Sequence, residues 1–261
     1  MSTDDQTAIP AERMKLILAS IEEKGSAQVK ELAKAQKVSE ATIRRDLAEL
    51  EKMGSVKRTH GGAILFGHNA PFEKVFQDKT DLQSAEKRRI GMLASRYVSD
   101  GDTVFLDCGT TVLQLAMNLG ERRGLTVITN DLNIANAIVL HPSSNLIITG
   151  GVRKAGSNFL VGSIAENFIR QIRVDKVFLS ADAVDPEFGA SNSDFDGIEI
   201  KNLVVQAGKE VILLADKTKF GRTALARICQ FNDLNRIITD LGMPQPMIKK
   251  ITEQGVALEL V

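Results

Sequence analysis

Two cysteines, Cys108 and Cys229, stand far apart in a chain of 261 residues, and neither belongs to a CxxC pair or a cluster with metal-ligand spacing. A disulfide framework and a zinc site are therefore not expected, and the chain reads as carrying two reduced thiols. Long apolar runs are missing as well. Those present, such as Val211 to Ala215, are far too short to span a bilayer, and the opening MSTDDQTAIP is polar, so a cytoplasmic protein is expected. Charge of one sign is also lacking, since 33 Lys and Arg balance 33 Asp and Glu. A nucleic-acid binder usually shows a basic imbalance, so that function requires positive charge focused on one surface.

What is present is an ordinary globular composition, 43% hydrophobic and 25% charged, in a length that suits a small domain followed by a larger one. From Glu12 to Lys24, Met14, Ile17, Leu18 and Ile21 recur at helical spacing, which predicts an amphipathic helix ended by Gly25. Ser26 reads as the N-cap of a second, shorter helix with Val29, Leu32 and Ala33 on its stripe, stopping near Lys37 and Val38. Ser39 caps a third, with Ile43, Leu47 and Leu50 on one side and Met53 and Gly54 at its end. Such short stripes are buried only by packing on one another, and a tight turn between the second and third helices gives a helix-turn-helix.

Burying that side of the third helix turns Ala41, Arg45, Ala48 and Lys52 outward, with Thr42 and Arg44 on the flanks and Asp46 and Glu49 further round. Small residues, a hydroxyl and two guanidinium groups suit a DNA major groove. Taken alone, the same face is better read as a solvated surface, with Arg44 and Arg45 paired to Glu40 or Glu49, the commoner fate of charges on a helix. The following segment tips the balance. SVKRTHGGAI, residues 55 to 64, is a short alternating strand with a basic side, a Gly-Gly turn and a second apolar start, which is a β-hairpin wing. Lys57, Arg58 and His60 there would meet phosphates beside the reading helix.

The run VKELAKAQKVSEATIRRDLAELEKMGSVKRTHGGA, residues 29 to 63, resembles the N-terminal signature of the DeoR family of bacterial transcriptional regulators, through its TIRRDL core, the following Leu-Glu and the wing R-x-HGGA. The resemblance implies that Thr42, Arg44 and Arg45 contact an operator. With them, Ser39 on the helix and Lys57, Arg58, His60 and Gly61 in the wing are assigned to DNA. Gln36 and Lys37 depart from the family pattern at the turn between the helices.

Residues 64 to 85 mix aromatics, Pro71, Gly67 and charges without a sustained period and read as a linker between a DNA-binding domain, 1 to 63, and a larger domain, 86 to 261. In the latter, Thr103–Asp107, Thr126–Asn130, Leu146–Gly150, Val174–Asp182, Val211–Asp216 and Ile237–Asp240 are short, largely β-branched runs. They alternate with helical segments such as Val112–Leu119 and Ile200–Ala207. The expected class is α/β, with a mostly parallel sheet covered on both faces and a site outside the carboxyl ends of its strands. Those ends are punctuated by Asp107-Cys108-Gly109-Thr110-Thr111, Thr129-Asn130, Thr149-Gly150-Gly151, Ser180-Ala181-Asp182 and Ala215-Asp216. Singly, each is more readily a cap or a turn; together they converge on one crevice. Gly109-Thr110-Thr111 opens a helix whose free N–H groups attract phosphate, but it lacks the lysine and spacing of a P-loop. Cys108 reads as a packing residue.

The resemblance extends here: DCGTT, TN, TGG, Glu199-x-Lys201 and LADKTKFG follow the motif order of the DeoR sensor domain, which is similar to ribose-5-phosphate isomerase. It implies a phosphorylated sugar effector. Gly109, Thr110 and Thr111 would hold the phosphate, while Asp107, Asn130, Gly150, Gly151, Asp182, Glu199, Lys201 and Lys219 would line the rest. Lys217, SADAVD at 180 to 185 and the segment before Glu199 depart from the family and bear on which sugar fits. The expected function is a sugar-phosphate-controlled repressor of carbohydrate genes, a homo-oligomer of at least two chains on double-stranded operator DNA, without cofactor, metal or membrane partner. The rival is an isomerase with an accessory DNA-binding domain, in which Asp182 or Glu199 is a general base and Lys201 or Lys219 steadies an enediolate.

Arg45→Ala is expected to relax operator specificity at one base position at a cost of about 1 to 3 kcal/mol, whereas Lys57→Ala weakens all sequences alike and flattens the salt dependence. Binding titrations on an operator and its point variants at several salt concentrations separate the two. Equal effects on every sequence from both substitutions would show that the reading face is misassigned.

Overall fold

The computed structural model describes residues 10–24, 26–52, 56–59, 61–65, 82–154 and 157–261, with the backbone alone for 11, 22–24, 26, 57, 64 and 65. The chain divides into two compact units, 1–72 and 73–261.

The first unit runs α1 (Pro10–Lys24), β1 (Ser26–Gln28), α2 (Val29–Gln36), α3 (Glu40–Lys52), β2 (Val56–Arg58) and β3 (Gly62–Leu65). Its antiparallel sheet has the order β1-β3-β2. The stripes expected from spacing form its core, with Ile17, Ile21, Leu32, Ile43, Leu47, Leu50 and Val56 buried together. Ser39 caps α3, its Oγ accepting from the Thr42 N–H at 3.1 Å. The turn before it is made by Lys37 in the left-handed region, φ 53°, a conformation that glycine or asparagine takes more easily.

Two expectations are corrected. Ser26 is not a helix cap: it lies in β1, opposite Ile64 of β3, and Gln28 precedes α2. Three residues are too few to show strand alternation in the sequence. Gly62 answers β1 directly, because a Cβ there would lie 2.1 Å from the Ala27 carbonyl oxygen. Asp46 is buried rather than surface, and takes a two-pronged hydrogen bond from Arg13 of α1, Nε to Oδ2 at 2.7 Å and Nη2 to Oδ1 at 3.1 Å. That bond, stronger than the desolvation opposing it, raises the Arg13 pKa.

The second unit contains α4 (Ser84–Ser95), β4 (Thr103–Leu106), α5 (Thr110–Ala116), β5 (Thr126–Thr129), α6 (Leu132–Ala137), β6 (Asn145–Ile148), β7 (Val152–Arg153), β8 (Leu160–Val161) and α7 (Ser163–Arg170). It continues with β9 (Val174–Leu179), β10 (Ala183–Asp185), β11 (Gly189–Asn192), α8 (Ile198–Ala207), β12 (Gly208–Leu214), β13 (Ala226–Cys229), β14 (Arg236–Thr239), α9 (Gln245–Glu253) and β15 (Ala257–Leu260). Seven strands in the order β15-β14-β12-β9-β4-β5-β6 form a parallel sheet. Adjacent residues on the strands serve opposite faces. Phe105, Val177, Leu213 and Ile237 join one buried cluster with residues of α7, α8 and α9, while Val104, Leu106, Phe178, Ile212 and Ile238 join the other with residues of α4 and α5.

The six expected strands are present; β15 is a seventh. The run Val174–Asp182 stops at Leu179, and Ala183 opens β10 of a separate antiparallel sheet, β10-β11-β13. The chain builds β4, β5 and β6 outward on one side and then returns to place β9 on the other side of β4. The carboxyl ends of β4 and β9 thus flank the reversal of strand order, where open α/β sheets place their ligands. Among the described residues no helix is long and apolar enough to cross a membrane.

Removing one partner of a buried pair strands the other, so Asp46→Ala is expected to destabilise the first unit by about 3 kcal/mol. Glu49→Ala, which loses only an exposed contact to Lys52, is expected to stay within about 0.5 kcal/mol. Denaturant titration of both variants tests the contrast, and similar losses would remove the Arg13–Asp46 pair from its structural role.

Candidate functional site

On α3, Arg45 and Ala41 are exposed, and among the described residues Arg45 has no carboxylate partner. Arg44 lies 3.1 Å from Glu40 in an exposed pair, so the solvated-face reading describes Arg44 but not its neighbour. The hydroxyls of Ser39 and Thr42 meet at 2.9 Å. In the wing, the backbone N–H of Arg58 donates to Glu51 Oε1 at 2.8 Å, and its exposed guanidinium is 3.8 Å from the same carboxylate. Gly61 is exposed, with its carbonyl accepting from Val29 N–H at 2.9 Å. Lys57 is described only as backbone of β2, and His60 lies outside the described residues.

In the second unit a cavity of about 140 Å³ opens at the carboxyl ends of the strands. Gly109, Thr110, Thr111, Asn130, Asp182, Lys201 and Lys219 line it, seven of the residues expected from the sequence. Asp107 lies just beneath. It is fully buried, and its Oδ2 accepts from the Ser180 N–H at 2.9 Å and from the Lys201 ammonium, which itself is only 3% exposed. Lys201 also donates to the Ser180 carbonyl at 3.0 Å and to Ser180 Oγ at 3.2 Å. Ser180 Oγ in turn lies 2.5 Å from the Cys108 carbonyl. This packing leaves no room for a side chain at position 109, where a Cβ would lie 2.8 Å from Ser180 Cβ and Oγ.

The remaining expected residues are not brought to the cavity. Gly150 and Gly151 form a left-handed turn at φ 72° and 115°, with Gly151 against the Val161 carbonyl. Glu199 points to the surface and pairs with Arg170 at 2.6 Å. Residues 199 and 201 are about 200° apart around a helix, so α8 can offer only one of them to the cavity. Lys217 does not line it either: its ammonium donates to the Leu241 carbonyl at 3.0 Å and faces Asp240 Oδ2 at 3.2 Å. Lys219 is placed by the short turn that Asp216 caps, and among the described residues it has no carboxylate partner.

Sequence reasoning missed Lys87 of α4, Asp131, Asn133 and Asn158, and the residues Asn192, Asp194 and Asp196. The last three belong to the departing segment before Glu199, which could have flagged them. Lys87 carries no local signal, since only tertiary folding brings α4 to the strand ends.

Electrostatics follow from burial. Desolvation, the largest single influence, pulls the Lys201 pKa down, but the charge and hydrogen bond of Asp107 together with the nearby Cys108 and Asp182 outweigh it and hold the ammonium above its ordinary value. Burial, then Asp107, push the Cys108 thiol up, and burial pushes Cys229 up to about 12, so both are thiols at neutral pH. Asp131 is raised by burial although its carboxylate accepts from Asn133 and Ile134 N–H groups. Among the described residues no group of three or more His, Cys, Asp and Glu is placed to hold a metal ion.

Comparison with known proteins adds the following. The DeoR-like helix-turn-helix domain matches residues 13–68, and the DeoR C terminal sensor domain matches residues 82–241. The Escherichia coli K12 HTH-type transcriptional regulator YgbI is 34% identical over 250 residues, 96% of this chain and 97% of that protein. A putative aga operon transcriptional repressor of Escherichia coli O157:H7 is 32% identical over 96% of this chain and 94% of its own length. The glycerol-3-phosphate regulon repressor of Escherichia coli K12 is 29% identical over 94% and 96%. Among solved structures, a ribose 5-phosphate isomerase from Plasmodium falciparum covers 52% of each chain at 15% identity with a TM-score of 0.37, too distant to bear on function.

The raised Lys201 pKa fixes the sign of a pH effect. Stability from the pair is complete below the ordinary lysine value of about 10.4 and is lost as pH rises through the folded-state value. Lys201→Met, which strands Asp107, is expected to cost about 3 to 5 kcal/mol at neutral pH and to remove this part of the alkaline loss. Denaturation midpoints between pH 8 and 11.5 test both, and an unchanged alkaline slope in the variant would count against the pair.

Proposed function

The chain belongs to the DeoR family of transcriptional regulators, and from that premise we propose that it represses carbohydrate genes under the control of a phosphorylated sugar bound in the cavity of its second unit. The observation that carries this is the lining itself. Lys87 and Lys219 stand with the hydroxyls of Thr110 and Thr111, while Asn130, Asn133, Asp182 and Asn192 supply acceptors and amide donors. Cations and hydroxyls suit a phosphoryl group, and acceptors suit sugar hydroxyls. Lys201 and Asp107 act beneath them as positioning residues.

In the same reading, α3 enters the major groove of double-stranded operator DNA with Ser39, Thr42, Arg44 and Arg45, and Lys57, Arg58, His60 and Gly61 of the wing meet the backbone. Paired half-sites call for at least a dimer of this chain. Operator DNA places it in the cytoplasm, with no cofactor. We read it as a regulator without turnover, because the proton-transfer set of an isomerase is depleted. Glu199 is held at the surface by Arg170, and the three N–H donors of Lys201 are occupied by Asp107 and Ser180. The proposed division keeps 1–63, a linker over 64–85 and 86–261, with β3 running on to Leu65 and α4 opening at Ser84.

A panel of glycerol 3-phosphate, fructose 6-phosphate and ribose 5-phosphate, each beside its unphosphorylated parent, tests the proposal on the full chain. At least one phosphate ester is expected to raise the melting temperature, by the equivalent of about 2.7 kcal/mol at a hundredfold excess over Kd. The same ester is expected to change operator Kd at least about fivefold, while the parent sugars do neither. No shift from any ester would end the sensor reading, and steady conversion of ribose 5-phosphate to its ketose would restore the enzyme.

A further inference from the structure

Lys87 is the fourth residue of α4, and its place connects the cavity to the segment that leads back to the first unit. It is 6% exposed and lines the cavity. Its backbone N–H donates to the Gln83 carbonyl at 3.0 Å, closing the first turn of α4. Gln83 is one of two described non-glycine residues with a positive φ, 55°, so the chain enters α4 through a constrained, left-handed residue. The helix has no slack one turn further along the same face. Gly91 packs directly on the backbone of α5, where a Cβ would lie 2.6 Å from Gln114 C and Leu115 N. The residues that open α5, Thr110 and Thr111, line the same cavity.

A molecule that engages Thr110, Thr111 and Lys87 together therefore grips both α4 and the helix on which α4 rides. Lys219 meets the same molecule from a turn after β12, with no covalent route to the linker except through the rest of the unit. The two lysines differ in what they are attached to, and not in charge.

We propose that α4 is the element through which the cavity controls DNA binding, with Lys87 as the residue that couples a bound phosphate ester to the Gln83 junction. This rests on the sugar-phosphate reading above. The coupling residue is distinguished from a mere ligand contact by what survives saturation.

The test uses the full chain and the panel ester with the largest thermal shift, or inorganic phosphate where that shift is larger. Lys87→Met and Lys219→Met are each titrated to saturation by thermal shift, and operator Kd is measured with and without the saturating probe. Both variants are expected to need at least tenfold more probe. At saturation Lys219→Met is expected to recover the parent ratio of operator Kd values, while Lys87→Met stays within twofold of unity. Full recovery in Lys87→Met overturns the proposal. Where Lys87→Met does not fold, Gln83→Gly, which lies outside the cavity and loosens the junction, is expected to keep probe affinity within threefold and lose at least half of the parent ratio. An unchanged ratio in that variant overturns it equally. If neither the esters nor phosphate shift the parent, the sugar-phosphate reading fails first and the coupling falls with it.

Discussion

Asp107 sits where the strand order of the large sheet reverses, with no solvent exposure, and a carboxylate in that position is tolerable only because the Lys201 ammonium reaches it from α8. Desolvating two charges costs several kcal/mol each, so such a pair is worth more as a constraint than as a source of stability. The constraint propagates. Lys201 holds Ser180 through its carbonyl and hydroxyl, Ser180 reaches the Cys108 carbonyl, and the proximity of Ser180 makes glycine necessary at position 109. The floor of the cavity is thus set by one ion pair that joins β4, β9 and α8.

The first unit solves a different electrostatic problem, that of binding a polyanion in a chain with no net charge. The carboxylates of α3 are occupied. Asp46 is buried with Arg13, and Glu40, Glu49 and Glu51 sit beside Arg44, Lys52 and Arg58. The exposed pairs are worth at most about 1 kcal/mol, so a phosphate can displace the acid without much loss. Arg45, with no such partner among the described residues, has no ion pair to break before it reaches a base edge. Neutral composition therefore understates the positive character of the surface that α3 and the wing present.

Much of this was legible in the sequence, because apolar spacing records which face is buried. The stripes of α1, α2 and α3 and the six strand runs all follow that record. Where it is thin, reading failed. β1 is three residues with no alternation to detect, and Ser26 looked like a cap. Asp46 falls on the packed side of α3, but a polar residue there cannot be told from a surface one without its partner, 33 positions earlier. Glu199 and Lys201 looked like one motif, yet helical geometry separates them by more than half a turn. Lys87 was invisible for the opposite reason, since its neighbours in the cavity come from elements that are adjacent only in the fold.

The balance of charge within the cavity bears on what the proposed site can accept. Asp131, Asp182, Asp194, Asp196 and Asp216 all line it, and Lys154 pairs with two of them, Asp194 at 3.3 Å and Asp196 at 2.8 Å. The burial that pushes Asp131 toward its protonated form would disfavour a second anion beside it for the same reason, loss of solvation. Carboxylates and amides are nonetheless good acceptors for hydroxyl donors. On the proposed reading, the cavity therefore favours a molecule with one phosphoryl group and several hydroxyls, and discriminates by repulsion against sugar acids and diphosphates. Specificity then comes from where the acids stand as much as from the lysines that attract the phosphate.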